Sequence, residues 1–191
     1  MDFRTIRVTF AKASLMVLLM AMIALWTTFA IAGVNEDLIT AIEFGGDLPK
    51  VKQALAKGAD VNFKFGFVGF TPLMSASQWG HQEIMRLLIA KGADVNAKSN
   101  YGGLTALINA SGAGRREVVQ LLLANGANIN AKDDVGTTAL VYASMHGHLE
   151  VLQLLLANGA EVNAKDKNGK TALMKAKRQD IKELLIKAGA K

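Results

Sequence analysis

Residues 71–96 read TPLMSASQWGHQEIMRLLIAKGADVN. Thr71 stands where a helix wants an N-cap oxygen, and Pro72 falls in the first helical turn, where its missing N–H costs nothing. A first helix therefore begins here. Gly80 supplies a turn in which φ can be positive, a second helix carries Leu87 and Leu88, and Gly92 falls where a helix C-cap prefers the left-handed region. One stretch of sequence thus encodes two short helices and the turns that bound them.

The unit recurs along the chain. Thr71, Thr105, Thr138 and Thr171 open TPLMSA, TALINA, TALVYA and TALMKA at separations of 34, 33 and 33, and the segments end in RLLIAKGADVN, QLLLANGANIN, QLLLANGAEVN and, shortened, ELLIKAGAK. A period near 33 marks stacked units that cannot bury their apolar faces alone. Ala76, Ala110, Ala143 and Ala176 are small because the first helix lies close to its neighbours. The pairs Leu87–Leu88, Leu121–Leu122, Leu154–Leu155 and Leu184–Leu185 are expected to form a continuous apolar seam. Gly114 and Gly147 repeat the role of Gly80, and Gly126, Gly159 and Gly189 that of Gly92.

This pattern resembles the ankyrin repeat over essentially all of residues 35 to 191. An upstream unit, DLITAIEFGGDLPKVKQALAKGADVN, resembles that family's N-terminal capping repeat. The resemblance implies an all-α repeat solenoid of helix-turn-helix units joined by hairpin loops, with five repeats near 35–68, 69–101, 102–135, 136–168 and 169–191. Asn62, Asn96, Asn130 and Asn163 resemble the family's hairpin asparagine, whose amide bonds neighbouring turn backbone. His81 and His148 occupy its glycine-histidine position, where histidine serves the fold.

Two departures stand out. Asn62 to Thr71 and Asn96 to Thr105 span nine steps against eight in the later repeats, so the first two hairpins are expected to bulge at their tips. In the last repeat three residues are missing between Ala176 and Gly189, expected from the inter-helix turn. With Lys177, Arg178, Lys182 and Lys187, that repeat reads as a polar C-terminal cap.

Residues 1–14 carry Arg4, Arg7 and Lys12 against Asp2, and the uncharged run LMVLLMAMIALW follows from Leu15 to Trp26. Small side chains at Ala30 and Ala32 then fit a signal peptidase site, giving a secretory signal over 1–32 and a mature chain from Gly33. The competing expectation is an uncleaved anchor in the inner membrane, since weakly polar flanks extend the apolar zone toward the roughly 20 residues that span a bilayer. Either way, residues beyond 33 face the far side, as a periplasmic, secreted or tethered domain.

The chain has 191 residues, a net charge of +6 and no cysteine. Disulfides, thiolate metal sites and a cysteine nucleophile are therefore excluded. Nine basic residues against three acids fall in 165–191, which reads as a solvated end face rather than a nucleic-acid surface. His146 and His148 with Glu150 make a poor metal site in an open turn, and no GxSxG, HExxH or P-loop string is present. The expectation is a non-enzymatic protein, without cofactor or metal.

In the family, hairpin tips and the exposed side of the first helix hold partner proteins. Carried over by position, that surface comprises Phe65, Phe67, Phe70, Gln78 and Trp79, then Asn100, Tyr101, Leu104 and Ala113, then Asp133, Asp134, Thr137, Met145 and His146. The run NFKFGFVGF concentrates rings in the first hairpin, with at least two of Phe65, Phe67 and Phe70 expected in solvent and Phe63 expected to pack under the N-terminal repeat. An exported scaffold, a membrane-tethered adaptor and a self-associating structural protein are the functions open to it, with a monomer binding another protein preferred.

Overall fold

The threonines do begin helices, but they do so in two ways. In the computed structural model, which describes residues 33–191, Thr71 Oγ1 accepts from Met74 N and Thr105 Oγ1 from Ile108 N, each at 3.3 Å. Thr138 and Thr171 hold the same extended N-cap backbone without a side-chain cap bond, and their buried hydroxyls find no partner among the described residues. The expected signal or anchor segment, residues 1–32, lies outside the described residues. Among those described, no helix is long and apolar enough to cross a membrane.

The described residues form ten helices in pairs: α1 over 33–43, α2 (Leu48–Ala56), α3 (Pro72–Trp79), α4 (Gln82–Ala90), α5 (Ala106–Gly112), α6 (Arg116–Ala124), α7 (Ala139–His146), α8 (Leu149–Ala157), α9 (Ala172–Lys175) and α10 (Gln179–Lys187). First helices pack on first helices (α3, α5, α7, α9) and second on second (α2, α4, α6, α8, α10), giving two layers. The all-α repeat solenoid is the fold. The truncation of the last repeat falls inside its first helix: α9 has four residues where α7 has eight, and Ala176 is already extended.

Every second helix ends alike. Ala93 N donates to Leu88 O and Gly92 N to Ile89 O, at 2.9 and 3.0 Å, with Gly92 at φ 89°, so the glycine one residue past the C-cap closes a Schellman turn. The asparagines tie one repeat to the next. Asn96 Nδ2 donates to Gly126 O at 3.0 Å while its Oδ1 accepts from Asn128 N at 2.8 Å, and Asn62 and Asn163 repeat both bonds. Each bond is worth about 1 kcal/mol net, so the ladder acts through repetition.

The seam is narrower than the leucine pairs suggest. Leu88, Leu122, Leu155 and Leu185 are fully buried, whereas Leu87, Leu121, Leu154 and Leu184 are only partly covered. A helix turns about 100° per residue, so two adjacent side chains cannot share one facing neighbour. The third and fourth positions of the internal second helices, α4, α6 and α8, complete the contact: Ile84–Met85, Val118–Val119, Val151–Leu152. At the third position α2 carries Lys50, and at the fourth α10 carries Lys182. Ammonium groups thus stand at the two end registers where internal repeats present apolar side chains, which is how a stack is capped.

Candidate protein-binding surface

The hairpins differ by one residue at the tip. In the first, Phe65 and Phe70 exchange backbone hydrogen bonds at 2.9 and 3.1 Å around residues 66–69; in the second, Ser99 N donates to Leu104 O around residues 100–103. The third and fourth close three residues each, from Asp133 N to Thr137 O and from Asp166 N to Lys170 O, both at 3.0 Å. Positive φ at Gly66 and Gly69 allows the four-residue bend. Successive tips then bond to one another: Val68 O accepts from Asn100 N, Gly102 O from Asp134 N, and Val135 O from Lys167 N, at 2.9, 3.0 and 2.8 Å. The tips form one continuous edge.

The aromatic residues divide along that edge. Phe65 and Phe70 are half-buried and meet edge to face with centroids 6.5 Å apart, closing the first hairpin. Phe63 and Phe65 line a hollow with Ile39 and Thr40 of α1. Of the rings at 65, 67 and 70, Phe67 alone is exposed, so the expectation of two in solvent is corrected: the Phe65–Phe70 pairing places both ends of the loop against the repeat and leaves Phe67 at the tip. Phe67, 78% exposed, stacks on Tyr101, 55% exposed, at 4.3 Å and 13°. Trp79, at the end of α3, is 51% exposed.

A groove of about 370 Å³ runs beneath the tips, lined by Phe70, Gln78, Leu104, Ile108, Asn109, Gly112, Ala113, Tyr142 and His146. It brings together five of the residues expected from sequence. Its depth comes from Gly112 and Ala113, which hold the registers of Gln78–Trp79 in the preceding repeat and Met145–His146 in the following one. A Cβ on Gly112 would meet Tyr142 Cδ1 at 3.5 Å, Tyr142 Cβ at 3.9 Å and His146 Cδ2 at 4.0 Å, all ordinary contacts. Packing therefore does not demand glycine in this helix, and alanine would be the more stable residue there. Asn109, whose buried Nδ2 finds no acceptor among the described residues, and Tyr142 were missed; both stand four residues after the repeat threonine, a register that varies as Ser75, Asn109, Tyr142, Lys175.

Asp133 does not belong to the open surface. It is 8% exposed, its Oδ1 accepts from Val135 N and Thr137 N, and its Oδ2 accepts from Tyr142 Oη at 3.0 Å. An aspartate that satisfies its own turn is drawn inward with it, and Thr137 is buried beside it. Burial, then the Asp133 carboxylate, pushes the Tyr142 phenol up to about 12. Asp134 and His146 remain exposed and Met145 is half-buried. Asp166 repeats the turn of Asp133 in the fourth hairpin; backbone bonds from Lys170 and Asn168 and the Lys175 ammonium hold its carboxyl below the usual range, against the opposing pull of burial.

His148 serves the fold: its Nε2 donates to Gly112 O at 2.9 Å, at the end of the preceding first helix. Arg115 and Arg178 do the same at Gln78 O and Gly147 O, each placing a donor on carbonyls the helix end leaves open. His146 stacks between Tyr142 and His148, at 6.3 and 6.2 Å. Among the described residues no three His, Asp or Glu side chains gather as a metal site.

Two helical layers and a stacked hairpin edge over an open groove define a stacked repeat protein. The chain belongs to the ankyrin-repeat family: the family model described as ankyrin repeats (3 copies) matches residues 38–133 and 131–191. Ankyrin repeats generally mediate protein–protein interaction, and the family is typically non-enzymatic. No curated protein matches the chain.

Proposed function

We propose that this protein is an exported, non-catalytic scaffold that holds a partner protein on its hairpin tips and the groove beneath them. The Phe67–Tyr101 pair carries the reading. Two rings stacked on each other in solvent add little to this core, yet each would gain on the order of 2 kcal/mol if a partner covered it. Exposed aromatic clusters beside a groove are typical of interaction sites. Phe65 and Phe70 position Phe67 by closing the first hairpin, and the Ser99–Leu104 closure holds Tyr101 in the second.

Replacing Phe67, Trp79 and Tyr101 together with alanine is expected to weaken capture of the partner from the exported fraction by about 2 kcal/mol or more, with thermal stability nearly unchanged. Capture at full strength, or loss through unfolding, would remove this assignment. Export is supported by the charged N-terminus, the apolar run from Leu15 to Trp26, and Ala30 and Ala32. N-terminal sequencing of the protein recovered outside the cytoplasm should start at Gly33. Recovery of the full-length chain from membranes alone would favour the tethered adaptor instead.

A further inference from the structure

We propose that the partner presents an acidic, extended polypeptide segment that lies along the hairpins, its carboxylates meeting a row of four lysines. This rests on the scaffold reading above and specifies the chemistry of what is held. Lys64, Lys98, Lys132 and Lys165 each follow a ladder asparagine by two residues, so the stacking that aligns Asn62, Asn96, Asn130 and Asn163 aligns them as well. All four are exposed and none forms an ion pair among the described residues, where the pairs are Asp47–Lys50, Glu83–Arg86, Arg116–Glu117, Asp166–Lys175 and Arg178–Asp180.

Two of the ammonium groups reach forward along the edge. Lys64 Nζ donates to Asn100 Oδ1 at 3.1 Å and Lys98 Nζ to Lys132 O at 2.7 Å. The nearby acids keep their charge, but most of them are committed to other partners. Asp133 and Asp166 are engaged by their own turns, and Asp60 and Asp94 accept from Asn62 N and Asn96 N upstream of the lysines. Glu36 shares the hollow of Lys64, and Asp134 shares with Lys132, Lys165 and Lys167 a cleft of about 490 Å³ between the last two hairpins.

Spacing favours a polypeptide. Packed helices lie roughly 8–10 Å apart, so the lysines recur at about that interval, and a polyproline II chain advances about 9 Å per three-residue turn. An acid at every third residue would therefore face each lysine in succession. Duplex DNA carries one charge per about 1.7 Å, far denser than this row. The aromatic pair adjoins the row's first member, since Asn100, which accepts from Lys64, precedes Tyr101 in the chain. An apolar residue on the segment would dock there, with the acids running toward the C-terminal repeat.

The test measures binding of a labelled synthetic peptide, one phenylalanine followed by glutamate at every third position with proline between, to the full chain at low ionic strength. The acidic peptide should bind, and its glutamine counterpart should bind at least about tenfold more weakly. Changing Lys64→Gln, Lys98→Gln, Lys132→Gln and Lys165→Gln together should weaken the acidic peptide roughly ten- to thirtyfold, as the sum of four exposed pairs. Arginine at the same positions should preserve binding, and Lys52→Gln, Lys57→Gln, Lys91→Gln and Lys187→Gln together should change it little. Equal loss in that control set means general charge attraction and overturns the inference, as does tighter binding of a single-stranded oligonucleotide or of phosphatidylglycerol vesicles. If the four-glutamine variant captures the native partner undiminished while the Phe67, Trp79 and Tyr101 variant does not, the lysine row is wrong and the scaffold reading stands.

Discussion

A chain ending at residue 168 is expected to aggregate rather than fold. Removing α9 and α10 takes away Ala172, Ile181 and Leu185, all fully buried, and uncovers Leu152 and Val141 of the preceding repeat. It also breaks the bond from Ser144 Oγ to Ala172 O at 2.7 Å and that from Arg178 Nη1 to Gly147 O at 2.8 Å. Several large side chains exposed at about 1.5–3 kcal/mol each rival the 5–15 kcal/mol by which a domain is usually stable. The reason lies in Lys182, which holds the register of Met85, Val119 and Leu152 and so ends the apolar face that those residues continue. Size-exclusion chromatography with a thermal melt decides it: a soluble monomer melting at the full-length temperature would show that this repeat does not cap the stack.

The second large effect separates two neighbouring leucines. Leu122→Ala is expected to cost about 2–5 kcal/mol, because the side chain is fully enclosed and neighbours on both sides cannot collapse into the cavity. Leu121→Ala, only partly covered, is expected to cost about 1 kcal/mol. Because each repeat touches only its neighbours, a defect in α6 should also divide the array, giving a broadened or two-stage transition in urea. Equal midpoints for the two variants would return both leucines to the same environment and contradict the seam described above.

The period, the pairs of helices and the turn glycines were all legible in the sequence. Each depends on a short backbone motif whose chemistry is complete within a few residues and is then repeated, so Gly92, Gly126 and Gly159 announce the same Schellman turn three times. The longer tips of the first two hairpins followed from counting residues between Asn62 and Thr71 and between Asn96 and Thr105. Of the candidate surface, Phe67, Trp79, Tyr101, Gln78, Leu104 and His146 stand exposed or lining the groove, as their register in the repeat implied.

What the tertiary structure alone decided is which side of each residue is covered, since the covering atoms belong to a repeat some 33 residues away. The sequence presents Leu121 and Leu122, or Phe65 and Phe67, as equals; the neighbour's position buries one and leaves the other. It presents Asp133 as a charged hairpin residue, whereas folding turns the carboxylate onto Val135 N, Thr137 N and the Tyr142 phenol. The groove likewise exists only because Gly112 and Ala113 lie between the larger side chains of the repeats on either side. Sequence fixes local turns through backbone geometry, while burial depends on pairs distant along the chain, and stacking alone brings those pairs together.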